Sequence, residues 1–395
     1  MPLRLPAAPF AAVLLLALSA PPGQAGDFVD SAGRRVTLPD RITRVMPAGP
    51  TADVLIFVLT PEKLVGWSRA PHTNYLPARY ARLPLSGQLT GPNPTATPET
   101  VMRLRPDLIV DAAAVTPDRA AFADQIQRQT GVPYILVDNS IPRMPAMLRD
   151  VGTMLGVAER GEDLAIYAEH ALRAIRGQLL IQPSDKRPRV YYARRNDGLE
   201  TALPGSPASN GIDEAGAINV AGALGSDERV LITREQIIAW NPDVVISAQR
   251  PFYEQVLRDP AWRQLSAVRN KRVYLTPTSP FGWVDEPPGV NRLLGLFWQA
   301  GLFYPNDLAE DLRTTVQEFY EKFYRIKLND KQLEVLVKPA EAKYDPSKRL
   351  ASEALLRLET PAGAAPQTGP VPGLPPPGRR GLMPTPATPG AMPKY

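Results

Sequence analysis

The chain has no cysteine and only two histidines, His72 and His170, among 395 residues. Without cysteine there is no disulfide staple, no thiolate metal site and no thiol nucleophile. Two histidines are too few for a multi-histidine metal cage. Net basic charge is also missing from the part of the chain able to fold. The formal charge is +5, but residues 26–337 hold 36 basic and 36 acidic side chains. The excess comes from Arg4 and from residues 338–395, which carry eight basic and four acidic residues. The centre therefore has no overall field to attract a polyanion, and nucleic acid is not an expected partner. The sequence also lacks G-x-S-x-G, H-E-x-x-H and G-x-x-x-x-G-K-[ST], so no catalytic residue, resident metal or cofactor is assigned.

Both ends differ in composition from the middle. Residues 1–25 combine Arg4, an apolar stretch from Ala7 to Ala20 and the small-residue site Gly23-Gln24-Ala25. This pattern predicts a secretory signal; the apolar stretch is short of the roughly 18–20 residues that a membrane span needs. A periplasmic location follows as an expectation. At the other end, residues 361–395 contain 11 prolines and 6 glycines. So little apolar surface cannot offset the entropy of ordering, and 338–395 reads as a largely disordered tail, with polyproline recognition as the alternative. Ser352 to Leu358 could form a short helix.

The middle contains an internal echo. Thr97-Pro98-Glu99-Thr100-Val101-Met102-Arg103-Leu104-Arg105-Pro106-Asp107-Leu108-Ile109-Val110 is answered by Thr233-Arg234-Glu235-Gln236-Ile237-Ile238-Ala239-Trp240-Asn241-Pro242-Asp243-Val244-Val245-Ile246. Each copy opens on a threonine suited to cap a helix and places a glutamate in the first turn. Apolar residues follow at helical spacing, Pro-Asp breaks the helix, and a short apolar run reads as a buried parallel strand. An echo about one domain length away predicts two similar αβ lobes.

The other elements fit this frame. A hairpin is expected over Asp27–Leu38, strands at Arg44–Met46, Leu64–Trp67 and Tyr134–Val137, and helices over Ala52–Leu59 and Asp118–Gln129. The second half predicts strands at Arg189–Tyr192, Val244–Ser247 and Arg272–Leu275. Its helices are expected near Ser209–Ala217, Pro251–Leu257, Val290–Phe303 and Leu308–Arg325. Alternating strands and helices imply parallel sheets covered on both faces. Between the halves, Glu159–Leu180 reads as one long helix of about 22 residues, or roughly 33 Å. The fold class is therefore α/β, with two Rossmann-like lobes, parallel sheets, one bridging helix and a cleft between the lobes. The expected boundaries are 1–25 for the signal, 26–156 for the first lobe, 157–183 for the bridge, 184–337 for the second lobe and 338–395 for the tail.

Open parallel sheets carry their working loops at the carboxyl ends of the strands. Those ends offer Trp67, Arg69, Tyr192, Arg194, Arg195 and Trp283 as candidate ligand contacts. Guanidinium, hydroxyl and indole groups hold an anionic or oxygen-rich solute; they lack a matched nucleophile and base. Each candidate also has a structural reading. Trp67 closes an apolar strand, Arg194 and Arg195 could be solvated charges, and Trp283 beside Phe281 could be core. His72 reads as structural, and of the alternating pair Tyr191 and Tyr192 one should be buried and the other exposed. Glu99 and Glu235 suit first-turn dipole complements, but their matched placement also suits a partner that is a pseudo-symmetric dimer.

The signal, the hairpin, the doubled Glu-to-Pro-Asp element, the bridging helix and Gly211-Ile212-Asp213-Glu214-Ala215-Gly216-Ala217-Ile218-Asn219-Val220-Ala221 together resemble a known family. It is that of the periplasmic substrate-binding proteins of ABC importers for iron–siderophore complexes, haem and cobalamin. Pro280-Phe281-Gly282-Trp283-Val284-Asp285-Glu286-Pro287-Pro288-Gly289-Val290-Asn291-Arg292 is similar to a branch of iron-complex binders that also includes molybdate and tungstate binders. The resemblance implies a monomeric, non-enzymatic receptor that clamps its ligand between lobes. It also implies that Glu99 and Glu235 dock onto the permease dimer in the inner membrane. The expected ligand is a ferric siderophore-type chelate; the alternatives are a molybdate or tungstate oxyanion, or a corrinoid or haem. A periplasmic hydrolase on a related fold is a more distant reading. Direct capture of bare zinc or manganese is disfavoured by the missing histidines.

Overall fold

The computed structural model describes residues 26–91, 93–180, 182–226, 229–305 and 311–341. The expected signal, the segment Ser352 to Leu358 and nearly all of the expected tail lie outside these residues. The first lobe is built on a three-stranded parallel sheet in the order Val45–Pro47, Leu108–Ala113, Tyr134–Asp138. The second is built on a four-stranded parallel sheet in the order Val273–Leu275, Val244–Ser247, Arg189–Ala193, Ile218–Asn219. Between them runs a single helix, Ala158–Leu180. The two-lobed α/β fold read from the sequence is the observed one.

The internal echo has a physical basis in both lobes. Pro98–Leu104 and Arg234–Trp240 each start in a capping box formed by the opening threonine and the residue three positions on. Each ends on a left-handed residue, Arg105 at φ 49° and Asn241 at φ 43°. The aspartate after each proline then fixes the neighbouring strand. Asp107 accepts the backbone N–H groups of Thr43 and Arg44 at 2.7 and 2.8 Å. Asp243 accepts that of Arg189 at 2.9 Å. Pro-Asp thus stops a helix and sets the register of the strand beside it.

Several elements depart from expectation. Leu64 and Trp67 make only isolated bridges, to Val45 and Leu85, because this segment passes from one partner to the next within three residues. The helix expected over Leu308–Arg325 is described from Leu312 to Phe319, where Asp311 caps it, and then widens into a π turn at Tyr320–Tyr324. A helix at Met144–Met154, a two-stranded antiparallel sheet pairing Glu200–Ala202 with Arg229–Leu231, and a helix at Asp330–Glu341 were not foreseen. The last of these runs past position 338. Tyr191 and Tyr192 are both buried, since helices and loops cover both faces of the sheet. Among the described residues, no helix is long and apolar enough to cross a membrane.

The lobes share one core. Phe57, Leu148 and Leu164 belong to the same buried cluster as Tyr192, Trp298 and Tyr324. The helix Pro50–Leu59 is buried from Ala52 onward, and its last carbonyls are bound by arginines of the bridging helix and of the second lobe. Arg325 donates to Phe57 and Leu59 at 3.2 Å each, and Arg160 donates to Val58 at 3.2 Å. A second seam joins Asn139 to the loop before the helix Arg292–Phe303. The Asn139 amide donates to the Pro288 carbonyl at 2.9 Å, and Arg292 donates to the Asn139 carbonyl.

That helix has no spare room where it crosses the loop carrying Trp283. A methyl group at Gly295 would overlap the Trp283 carbonyl oxygen. Alanine ordinarily favours a helix over glycine by about 1 kcal/mol. Overpacking against backbone that cannot yield costs about 1–3 kcal/mol, so the clash wins. Gly295→Ala is expected to lower the urea midpoint; an unchanged or raised midpoint would show that the loop can retreat.

Candidate ligand-binding cleft

A cavity of about 300 Å³ opens where the lobes meet. From the first lobe it is lined by Pro50 and Asp53 on one helix and by Trp67 and Arg69 to His72 on the loop that follows. From the second lobe come Pro280, Phe281, Glu286 and Pro287. The floor is aromatic: the ring centroids of Trp67 and Phe281 lie 6.0 Å apart, and Phe57 sits 5.6 and 5.7 Å from them. Trp67 is only 1% exposed, and its indole N–H is used on the Tyr80 carbonyl at 2.8 Å.

The N-terminus of the helix Pro50–Leu59 faces this space. Gly49 enters it in extended conformation with no side-chain cap, leaving the positive end of the helix toward the cavity. Asp53 stands in the first turn and is 3% exposed. Its carboxylate accepts the Ser68 backbone N–H at 2.9 Å and the Ser68 hydroxyl at 2.6 Å. Burial nevertheless dominates and pushes the Asp53 carboxyl up to about 7, against the opposing pull of Ser68 and the Arg69 charge.

Arg69 and His72 are exposed on the same loop. Arg69 forms no ion pair among the described residues, so its guanidinium is available to a solute. Opposite, Glu286 receives the Gln249 amide at 3.2 Å on both carboxylate oxygens. The loop behind it is fixed by Asn291, whose amide donates to the Pro287 carbonyl at 2.8 Å.

The six contacts expected from the sequence are thus divided. Trp67 and Arg69 line the cavity; Tyr192, Arg194, Arg195 and Trp283 do not. The Tyr192 hydroxyl donates to buried Asp285, and Arg194 is held by Asp285 and, at 3.0 Å, by Glu200. A guanidinium with two carboxylate partners has little attraction left for an anion. Trp283 is fully buried, its indole N–H directed to the Tyr320 hydroxyl at 3.4 Å. Arg195 is exposed, in a left-handed turn, 3.7 Å from Asp197. Sequence reasoning passed over Asp53 and Glu286 and gave His72 a structural role. The one clue to Asp53 was a lone carboxylate inside the run Ala52-Asp53-Val54-Leu55-Ile56-Phe57.

Glu99 and Glu235 are both exposed, each at the second position of its capped helix. The Thr97 hydroxyl and the glutamate's own backbone N–H hold Glu99 below the usual carboxylate range; for Glu235 its own N–H leads, followed by Thr233.

A family model described as periplasmic binding protein matches residues 51–280, more than half of the chain. The chain belongs to the periplasmic binding protein family. It is 26% identical over 323 residues to the molybdate-binding protein MolA of Haemophilus influenzae, covering 75% of this chain and 90% of that one. Among solved structures, an ABC transporter solute binding protein from Sulfurospirillum deleyianum is similar at 29% identity and a TM-score of 0.70. The match covers 79% of this chain and 99% of that one. The H. influenzae MolA structure bound to molybdate shares the fold, with 21% identity, a TM-score of 0.65 and coverage of 77% and 99%.

The buried carboxyl gives a stability test with a defined sign. Asp53 titrates higher in the folded chain than the ordinary 3.9 or so of an aspartate. Stability associated with its neutral form is therefore present at acid pH and is lost as pH rises toward about 7. Replacing Asp53 by Asn removes this loss. The variant should gain stability relative to wild type by about 3 kcal/mol between about pH 4.5 and pH 8. Urea unfolding at the two pH values measures it; a pH-independent difference would rule out the buried neutral acid.

Proposed function

We propose that the protein is a periplasmic receptor for a small tetrahedral oxyanion of the molybdate or tungstate class. It releases its cargo, chemically unaltered, to an ABC permease dimer. The observation that carries this reading is the cavity: it is small, and its one uncommitted guanidinium, Arg69, stands beside the positive end of a helix. Pockets for drug-sized ligands span about 300–1,000 Å³, so this one is at the lower limit and suits a small solute better than a haem or a corrinoid. Charge-assisted hydrogen bonds from the Arg69 guanidinium would hold the anion. Similarity to MolA supports the same class. Trp67 serves as wall, while Arg194, Tyr192 and Trp283 support the loops behind it, and Arg195 stays outside the contact set.

A ferric chelate is the second reading. It is favoured by the aromatic pair Trp67 and Phe281 at the cavity floor, which would suit a catecholate or hydroxamate face. Isothermal titration of the purified protein with sodium molybdate, sodium tungstate and a ferric trihydroxamate separates the two. Molybdate or tungstate binding is expected, and Arg69→Ala should weaken it by at least about tenfold, the loss of one charged hydrogen bond. Binding of the ferric complex alone would replace the oxyanion reading.

Delivery makes a separate demand. Glu99 and Glu235 present matched carboxylates on the two lobes, which suits a twofold partner with matched basic residues. The double variant Glu99→Ala, Glu235→Ala should abolish ligand uptake into cells while leaving solution affinity within about twofold. Loss of affinity in the double variant would move these residues from docking to binding.

A further inference from the structure

Asp53 is a puzzle for an anion site. A buried carboxylate in the wall of a cavity that receives a dianion would set two groups of acceptor oxygens against each other. Acceptor facing acceptor is repulsive unless one proton lies between them. We infer that Asp53 is a specificity-determining residue whose carboxyl carries a proton from solvent when the oxyanion is bound, donating an O–H to it, so that capture takes up one proton. This rests on the oxyanion reading above.

The geometry supplies what the device needs. Ser68 occupies the carboxylate from one side through its N–H and its hydroxyl and so fixes the orientation of Asp53. Asp53 is among the residues that line the cavity, and the backbone N–H of Arg69 also favours its carboxylate. Arg69 is the one charge that favours the ionised form. A bound dianion would occupy Arg69 and withdraw that support, driving the carboxyl further toward its neutral form. With its carboxyl pushed up to about 7, Asp53 is poised to respond within the neutral range.

Most charges on the elements packed around this helix are otherwise committed, and Asp150 on the neighbouring helix Met144–Met154 is exposed. Glu286 faces the cavity from the second lobe and is bound by Gln249. Asp111, on the adjacent strand, is paired with Arg119, and Arg149 with Glu162 and Glu169. Arg160 and Arg325 bind carbonyls at the far end of the helix, Lys322 pairs with Asp163, and Lys63 donates to the Leu155 carbonyl. His72 and Glu286 are the other titratable groups lining the cavity, and His72 is the necessary control.

The test is titration calorimetry with sodium molybdate, repeated in buffers of different ionisation enthalpy. Wild-type protein should take up about half a proton per molybdate at pH 7 and about 0.9 at pH 8, and should bind about tenfold more weakly at pH 8 than at pH 6. Asp53→Asn should remove both the proton uptake and the pH dependence, while His72→Gln should retain the uptake. The wild-type measurement needs no variant, so a poorly folding substitution cannot rescue the idea. Molybdate binding without proton uptake, or with uptake that survives Asp53→Asn, overturns the assignment and leaves the oxyanion receptor standing. Failure to bind either molybdate or tungstate at any pH overturns both.

Discussion

The last turn of the helix Pro50–Leu59 ends with carbonyls that no further turn can satisfy, and Arg325 and Arg160 satisfy them from outside its own lobe. The rest of the architecture depends on this clamp. Hydrogen bonds to charged donors are worth about 1.5–3 kcal/mol each, and a buried carbonyl left without one costs a comparable amount. Burial lowers the pKa of Arg160 to about 10, still well above neutrality, so the clamp keeps its charge at neutral pH. One end of the helix is thereby fixed to the second lobe and the other opens onto the cavity. Cavity and lobe junction share a single helix.

Burial also decides which arginine can serve a ligand. Arg292 is fully enclosed, its pKa lowered to about 9 by desolvation, and it spends its donors on the carbonyls of Gly289 and Pro207, on Asn139 and on the Asn210 side chain. Arg194 lies between two carboxylates. Arg69 alone among the arginines at the cleft has neither role. Composition counts these residues alike, whereas packing separates the committed guanidinium groups from the one left uncommitted at the cavity.

Much of the fold could be read in the sequence, because its signals are local. Thr97 and Thr233, the glutamates two positions on and the Pro-Asp breaks encode caps, dipole complements and strand register within fourteen residues, and the two lobes follow from their repetition. The long helix over Ala158–Leu180 is equally local in its pattern. The site was less legible. Arg194 and Tyr192 sit at a strand end, as binding residues should, but Asp285, ninety-three positions after Tyr192, claims both. Trp283 is placed in the core by Tyr320, which arrives still later in the chain. Asp53 has the opposite history: its own segment reads as buried helix, and only Ser68 and the facing lobe turn it into part of a cavity wall. Partners supplied by distant segments leave no local trace.

The capping boxes around Glu99 and Glu235 have one more consequence. Both short helices are shaped by residues three positions apart, so their form is set before any solute arrives. On the docking reading proposed above, a partner would meet the same pair of surfaces on a full receptor and on an empty one. Loading can be announced only by the span between them, and a shared core with bonded seams leaves that span little room to vary. A transporter served by such a receptor must distinguish full from empty by small differences in distance, or accept both and sort them afterwards.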